Sequence, residues 1–128
     1  MTYVDGYVLV IPKDKIEEYK KMATEGKDSW MKHGALQFFE CIGDDIEPSK
    51  EGGMESLGFP KMTNLGPDET VWFSFVVFKS KEHRDEVNKK VMEEMGEKYK
   101  DLKDFEMPFD MKRMAHGGFN VEVEGKKE

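Results

Sequence analysis

The densest group of side chains able to do chemistry lies between residues 83 and 88. It contains His83, Arg84, Asp85 and Asn88. A guanidinium binds a carboxylate or phenolate, and an imidazole can act as a general base. One hypothesis is therefore the polar mouth of a ligand pocket. The alternative is the first turn of a helix, where Asp85 favours the helix N-terminus, Arg84 is solvated or ion-paired, and Asn88 bonds nearby backbone.

A second polar group precedes and begins the last predicted strand, with Arg113, His116, Gly117 and Gly118. Paired glycines weaken a strand unless the backbone or a close neighbour requires them. They predict either a ligand lying against bare backbone or a β-bulge that bends the strand. Arg113 with Asp110 is interpreted most simply as an ion pair or a turn cap.

An apolar pocket between sheet and helices is a further hypothesis, because Trp72, Phe73, Phe75 and a surplus of methionines could line it. The same residues could equally pack the core. The candidate pocket residues that combine these groups are Trp72, His83, Arg84, Asn88, Arg113 and His116.

No metal or cofactor is expected. The possible ligands match no known metal-site spacing; they are His33, His83, His116, Glu40, Asp44 and Asp45. Cys41 is the single cysteine, so an internal disulfide is excluded, and its strand position predicts a small buried apolar side chain.

Composition narrows the classes of partner. The chain has 128 residues, a formal net charge of −7 and a pI near 5.1. This acidity argues against nucleic acid and against an anionic membrane surface. No secretory signal and no apolar run long enough to span a membrane is visible, so a cytoplasmic location is expected.

The elements that would position these residues follow the order β-α-β, β-α-β. Hydrophobic periodicity and the positions of glycine and proline predict four strands, over Tyr3–Ile11, Ala35–Gly43, Glu69–Lys79 and Arg113–Glu124. The same signals predict two helices, over 16–33 and Lys81–Met95. Ser80 is the predicted N-cap of the second helix, and Gly34 is placed to end the first. Ile46–Asp68 is irregular, with a possible edge strand at Leu57–Thr63, and a short helical turn is possible through Tyr99, Leu102 and Phe105.

This order predicts an α+β, ferredoxin-like βαββαβ fold, with a four-stranded antiparallel sheet and two helices on one face. Residues 1–124 are expected to form a single domain, followed by a polar tail at 125–128. The segment Glu69–Lys79 is apolar on both faces, whereas a half-buried strand shows one polar face. The helices can cover one face only, so we expect a homodimer through the other.

Five segments carry a family resemblance: YVDGY, HGAL, ECIGDD, HRDEVNKKVM and MPFDMKRMAHGGF, beginning at Tyr3, His33, Glu40, His83 and Met107. Together they resemble the bacterial domain-of-unknown-function family 1428, within the dimeric α+β barrel superfamily. The resemblance implies a ferredoxin-like protomer and a dimer whose two sheets form the barrel, and it implies no activity.

The wider superfamily includes cofactor-independent monooxygenases and haem-degrading enzymes. The Asn, Trp and His of the haem enzymes are not carried over to Asn88, Trp72 and His83, because Trp72 falls in mid-strand. Three functions stay open. They are binding of a small apolar or aromatic metabolite between sheet and helices, a cofactor-independent monooxygenase- or isomerase-like enzyme, and a non-catalytic dimeric interaction or stress-related module.

Overall fold

The computed structural model describes residues 1–53, 55–101 and 106–127. The main elements, in chain order, are β1 Tyr3–Pro12, α1 Ile16–Lys32, β2 Gln37–Ile42, α2 Phe59–Met62, β3 Glu69–Phe78, α3 Lys81–Tyr99 and β4 Ala115–Asn120. The four strands form one antiparallel sheet in the order β2-β3-β1-β4. The predicted α+β, ferredoxin-like fold is confirmed.

Ser80 marks the start of α3, and Gly34 follows the end of α1. The Ser80 hydroxyl accepts a hydrogen bond from the backbone N–H of His83, which caps the start of α3. Gly34 has a φ of 116°, so the chain leaves α1 in a backbone conformation that residues with a Cβ atom rarely adopt. Helix α3 continues one turn beyond the predicted Met95, to Tyr99, whose hydroxyl donates to Glu25 on α1.

One face of β3 packs against the helices, and the other is partly exposed. Trp72, Ser74, Val76 and Phe78 are buried and point toward the helices, whereas Phe73 is 44% exposed on the opposite face. One core cluster joins Val76 and Phe78 to α3, and a second joins Trp72 to α1; the helical partners are Val87, Val91 and Tyr19. Both helices therefore cover the same side of the sheet.

The opposite side of the sheet carries aromatic rings at the surface. Phe39 and Phe73 both pack against Phe75, with ring centroids 4.7 and 5.6 Å apart. Phe119 on β4 is 60% exposed. We call this surface, formed by Phe39, Phe73, Phe75 and Phe119, the open aromatic face.

Two predictions about local structure are wrong. Cys41 is exposed, because its β3 partner is Phe73 and it therefore shares the open face rather than the helix-covered side. Leu57–Thr63 contains the short helix α2 instead of an edge strand, since Gly58 and Pro60 start a helical turn there. The possible turn at Leu102 and Phe105 lies outside the described residues.

The paired glycines do not make a bulge. The register between β1 and β4 runs without interruption from Tyr3 opposite Asn120 to Val8 opposite Ala115. A Cβ on Gly118 would lie 2.2 Å from the hydroxyl oxygen of Tyr3 and 2.8 Å from the ring carbon that bears it. Glycine is present because the Tyr3 ring lies directly on the strand.

No helix within the described ranges is both long and apolar enough to cross a membrane.

Candidate functional site

A cavity of about 630 Å³ lies between the helix-covered side of the sheet and the two long helices. Most of its wall is apolar, with aromatic and methionine side chains from both helices, the sheet and the segment before β4. The polar side chains in the wall are few, and the main ones are Asp5, Tyr7, Tyr19, Glu40, Ser74, Arg84, Asn88 and His116.

One polar group joins β1 to α3 and α1. The Asp5 carboxylate is buried, and it accepts from Nη1 of Arg84 at 2.9 Å and from Nδ2 of Asn88 at 3.1 Å. Asn88 Oδ1 in turn accepts from Nε1 of Trp30 at 2.9 Å. The Arg84 guanidinium also lies 4.9 Å from the centroid of the Tyr3 ring. The opposite charges of Asp5 and Arg84 therefore neutralise each other, and the hydrogen bonds hold β1 and both helices in a fixed arrangement.

A second polar group centres on Glu40 in β2. One oxygen, Oε1, accepts hydrogen bonds from the Tyr19 hydroxyl at 2.7 Å and from the Ser74 hydroxyl. Among the described residues, no cation lies within salt-bridge distance of Glu40 and no donor reaches its second oxygen. Burial raises the pKa of the Glu40 carboxyl above its ordinary value of 4.5, although both hydrogen bonds act in the opposite direction.

Tyr7 lies between these two groups. Burial raises the pKa of its hydroxyl to about 12, and the carboxylates of Asp5 and Glu40 act in the same direction. The His116 ring on β4 stacks against Tyr7 at 5.7 Å between centroids, and His116 itself is exposed. The rim of the cavity thus includes an imidazole accessible to solvent.

The predicted pocket residues separate into two sets. Arg84, Asn88 and His116 line the cavity. Trp72, His83 and Arg113 do not line it.

Each residue of the second set has another position in the fold. Trp72 packs edge-on against Tyr19 at 4.9 Å in the core beneath α1. His83 accepts a hydrogen bond at Nδ1 from the Lys79 backbone N–H, which holds its ring at the start of α3. Arg113 pairs with Glu69 and donates to the carbonyl oxygens at 63 and 64, at 3.0 and 2.9 Å. Arg113 thereby ties the segment before β4 to the loop after α2.

Asp110 and Arg113 do not pair through their side chains. The Asp110 carboxylate instead caps the short turn Met111–Arg113, accepting from the Lys112 backbone N–H at 2.9 Å. The turn-cap interpretation of Asp110 is confirmed.

Sequence reasoning missed five polar residues of the cavity: Asp5, Tyr7, Tyr19, Glu40 and Ser74. A signal for two of them, Asp5 and Ser74, was present. Asp5 lies between Tyr3 and Tyr7 at spacings of two, and Ser74 interrupts an apolar strand. A polar side chain among inward-facing positions must find a partner or border a cavity.

The described ranges contain no group of three or more His, Cys, Asp or Glu side chains placed to hold a metal ion.

Comparison with known proteins agrees with the fold. A crystal structure described as a dimeric ferredoxin-like protein from an uncultured marine organism superposes with a TM-score of 0.61. The two chains share 12% identity, and the match covers 99% of this chain and 100% of the other. A likeness at that identity concerns the fold alone.

Sequence relatives are closer. The chain is 36% identical over 121 residues to uncharacterized protein YbaA of Escherichia coli strain K12, which covers 93% of this chain and 95% of that protein. The protein of the same name from Shigella flexneri matches with the same identity and coverage. The profile of a family described as protein of unknown function (DUF1428) matches residues 2–111. Since this match spans most of the chain, the protein belongs to the DUF1428 family.

Proposed function

We propose that the protein binds a small apolar or aromatic molecule in the cavity between the sheet and the helices. The cavity itself carries the proposal. Its volume of about 630 Å³ falls within the range of roughly 300–1,000 Å³ that is usual for small-molecule sites. An apolar wall with a few convergent polar groups is also typical of such sites.

A thermal-shift screen of small aromatic compounds is the first test, because a ligand of the native state raises the apparent melting temperature. Ala23 lines the cavity, so Ala23→Phe is expected to fill part of it and to abolish the shift. Thr24→Phe is the matched control on the next residue of α1, which is exposed and outside the cavity wall. A shift that survives Ala23→Phe would contradict binding in this cavity, and a library without any binder would contradict the proposal.

We also propose that two copies associate through the open aromatic face. Three of its four phenylalanine rings are at least 39% exposed, and contiguous exposed apolar surface commonly marks an interface. The structural relative described as dimeric supports the same arrangement. In such a dimer, each copy would cover the phenylalanine rings that the helices of the other copy leave exposed.

Sedimentation of Phe73→Asp tests this second proposal. The native protein is expected to sediment as a dimer and the variant as a folded monomer. Phe59→Asp is the control, because Phe59 is comparably exposed, at 39% against 44%, but lies on α2 rather than on the open face. A native chain that sediments as a monomer at micromolar concentration would refute the dimer.

A proton-transfer enzyme is the second candidate function, and the Glu40 group is the observation that favours it. A half-buried carboxyl has a raised pKa here, and no donor among the described residues reaches its second oxygen, so it can accept or return a proton on a bound substrate. The test is exchange of carbon-bound hydrogen for deuterium, followed by NMR, on carbonyl compounds found in the thermal-shift screen. Exchange that persists in Glu40→Gln would exclude Glu40 as the proton acceptor.

A further inference from the structure

We propose that the cavity selects lipophilic organic cations over neutral and anionic molecules of the same shape, with Glu40 as the counter-charge. This inference rests on the proposed ligand-binding function, and it names the class of ligand.

Aromatic rings supply the first part of the argument. Among the described residues, the cavity wall contains six of them, from both helices, the sheet and the segment before β4: Tyr7, Tyr19, Trp30, Phe38, Tyr99 and Phe109. The face of an aromatic ring carries negative potential, so it attracts a cation that comes within about 6 Å of the ring centre. A neutral ligand gains the apolar contact with these rings without this electrostatic term.

The balance of charge in the wall supplies the second part. Asp5 and Arg84 neutralise each other at 2.9 Å. Among the described residues, Glu40 is the other carboxylate in the wall, and it has no cationic partner there. The described residues of the wall therefore have a formal charge of −1 when Glu40 is ionised and His116 is neutral. An anion would meet this charge, and the guanidinium that could receive the anion is already paired.

Titratable and polar groups from three neighbouring elements surround Glu40. Tyr19 from α1 and Ser74 from β3 donate hydrogen bonds to it, and Tyr7 and Asp5 from β1 line the same cavity. Lys20 and Lys27 share a second, smaller cavity of about 320 Å³ with Glu40.

Those two lysines are paired elsewhere. Lys20 is 4.0 Å from Glu17 and Lys27 is 3.1 Å from Asp28. A cation within the cavity would therefore be the nearest counter-charge available to Glu40. Burial raises the pKa of Glu40, and a bound cation would act in the opposite direction by favouring the ionised carboxylate. Affinity for a cation should consequently increase with pH as Glu40 ionises.

The test uses three naphthalenes of similar shape: 2-naphthyltrimethylammonium, 2-tert-butylnaphthalene and naphthalene-2-sulfonate. Binding is followed by tryptophan fluorescence, since Trp30 lines the cavity. The cation is expected to bind at least about tenfold more tightly than the neutral compound, and the anion most weakly. In Glu40→Gln the ratio of cation to neutral affinity should fall to near one, and its dependence on pH should disappear.

Glutamine keeps an oxygen that can accept from Tyr19 and Ser74, and circular dichroism confirms that the variant is folded. Glu18→Gln removes the same charge from an exposed side chain of α1, whose partner Lys15 lines neither cavity, and should leave the ratio unchanged. If the neutral compound binds as tightly as the cation, or if Glu40→Gln retains the preference, the cation inference fails while ligand binding stands. If none of the three compounds binds and the screen also finds no ligand, both proposals fail.

Discussion

Arg84 offers a direct comparison of buried and exposed ion pairs, because it bonds two carboxylates at nearly equal distances. Nη1 lies 2.9 Å from Asp5, and Nε lies 2.8 Å from Asp85. The side chain of Asp5 is 6% exposed, whereas that of Asp85 is 60% exposed. If distance decided the energy, the two pairs would contribute equally to stability. If burial decides it, only Asp5 matters.

We expect Asp5→Asn to lower the free energy of unfolding by about 3 kcal/mol, the lower end of the cost of breaking a buried ion pair. Asp5 accepts from Arg84 through one oxygen and from Asn88 through the other. An amide can keep only one of these bonds, because its NH₂ group would face the second donor. Arg84 would also lose its buried counter-charge and retain Asp85 alone.

Asp85→Asn is the matched control, with an expected cost below about 1 kcal/mol, as for other exposed pairs. Urea unfolding followed by circular dichroism measures both costs. Native and variant chains must be compared at one protein concentration, because association would add to the apparent stability. Equal costs for the two substitutions, or a cost below about 1 kcal/mol for Asp5→Asn, would refute the reasoning from burial.

Two further predictions concern packing and pH. Gly118→Ala should lower the melting temperature through a loss of about 1–3 kcal/mol, since the new Cβ would meet the buried Tyr3 ring, whereas Gly117→Ala, whose nearest contact is Phe119 at 3.8 Å, should cost much less. Equal shifts in a thermal melt would contradict this. Because the folded-state pKa of Glu40 is raised, its contribution to stability is complete below its ordinary pKa of 4.5 and is lost as pH rises through the folded value. Glu40→Gln should therefore gain stability relative to the native chain on going from acid to neutral pH in urea titrations; an unchanged difference would exclude the raised pKa.

The sequence by itself determined the order of the elements and hence the fold. Strand Glu69–Phe78 and the two long helices could be predicted because alternation and helical periodicity are local properties of the chain. The reason for Gly118 could not be predicted, because a residue distant in the sequence decides it. Gly118 reflects the Tyr3 ring of the neighbouring strand rather than a bulge.

Only part of the candidate site could be predicted from the sequence. Arg84 and Asn88 stood out because four polar residues cluster within one helical turn and a half. Asp5 and Glu40 did not stand out, since each is a single acidic residue in a strand that could have faced solvent.

Tertiary structure decided which strand residues face the helices. A strand's alternation separates two sets of side chains, but a shift of one residue in register would exchange their faces. The pairing of Asp5 with Val76 and of Glu40 with Ser74 places all four on the helix-covered side. Only that register, with both helices on one side, brings two carboxylates into an apolar cavity and leaves the open aromatic face uncovered.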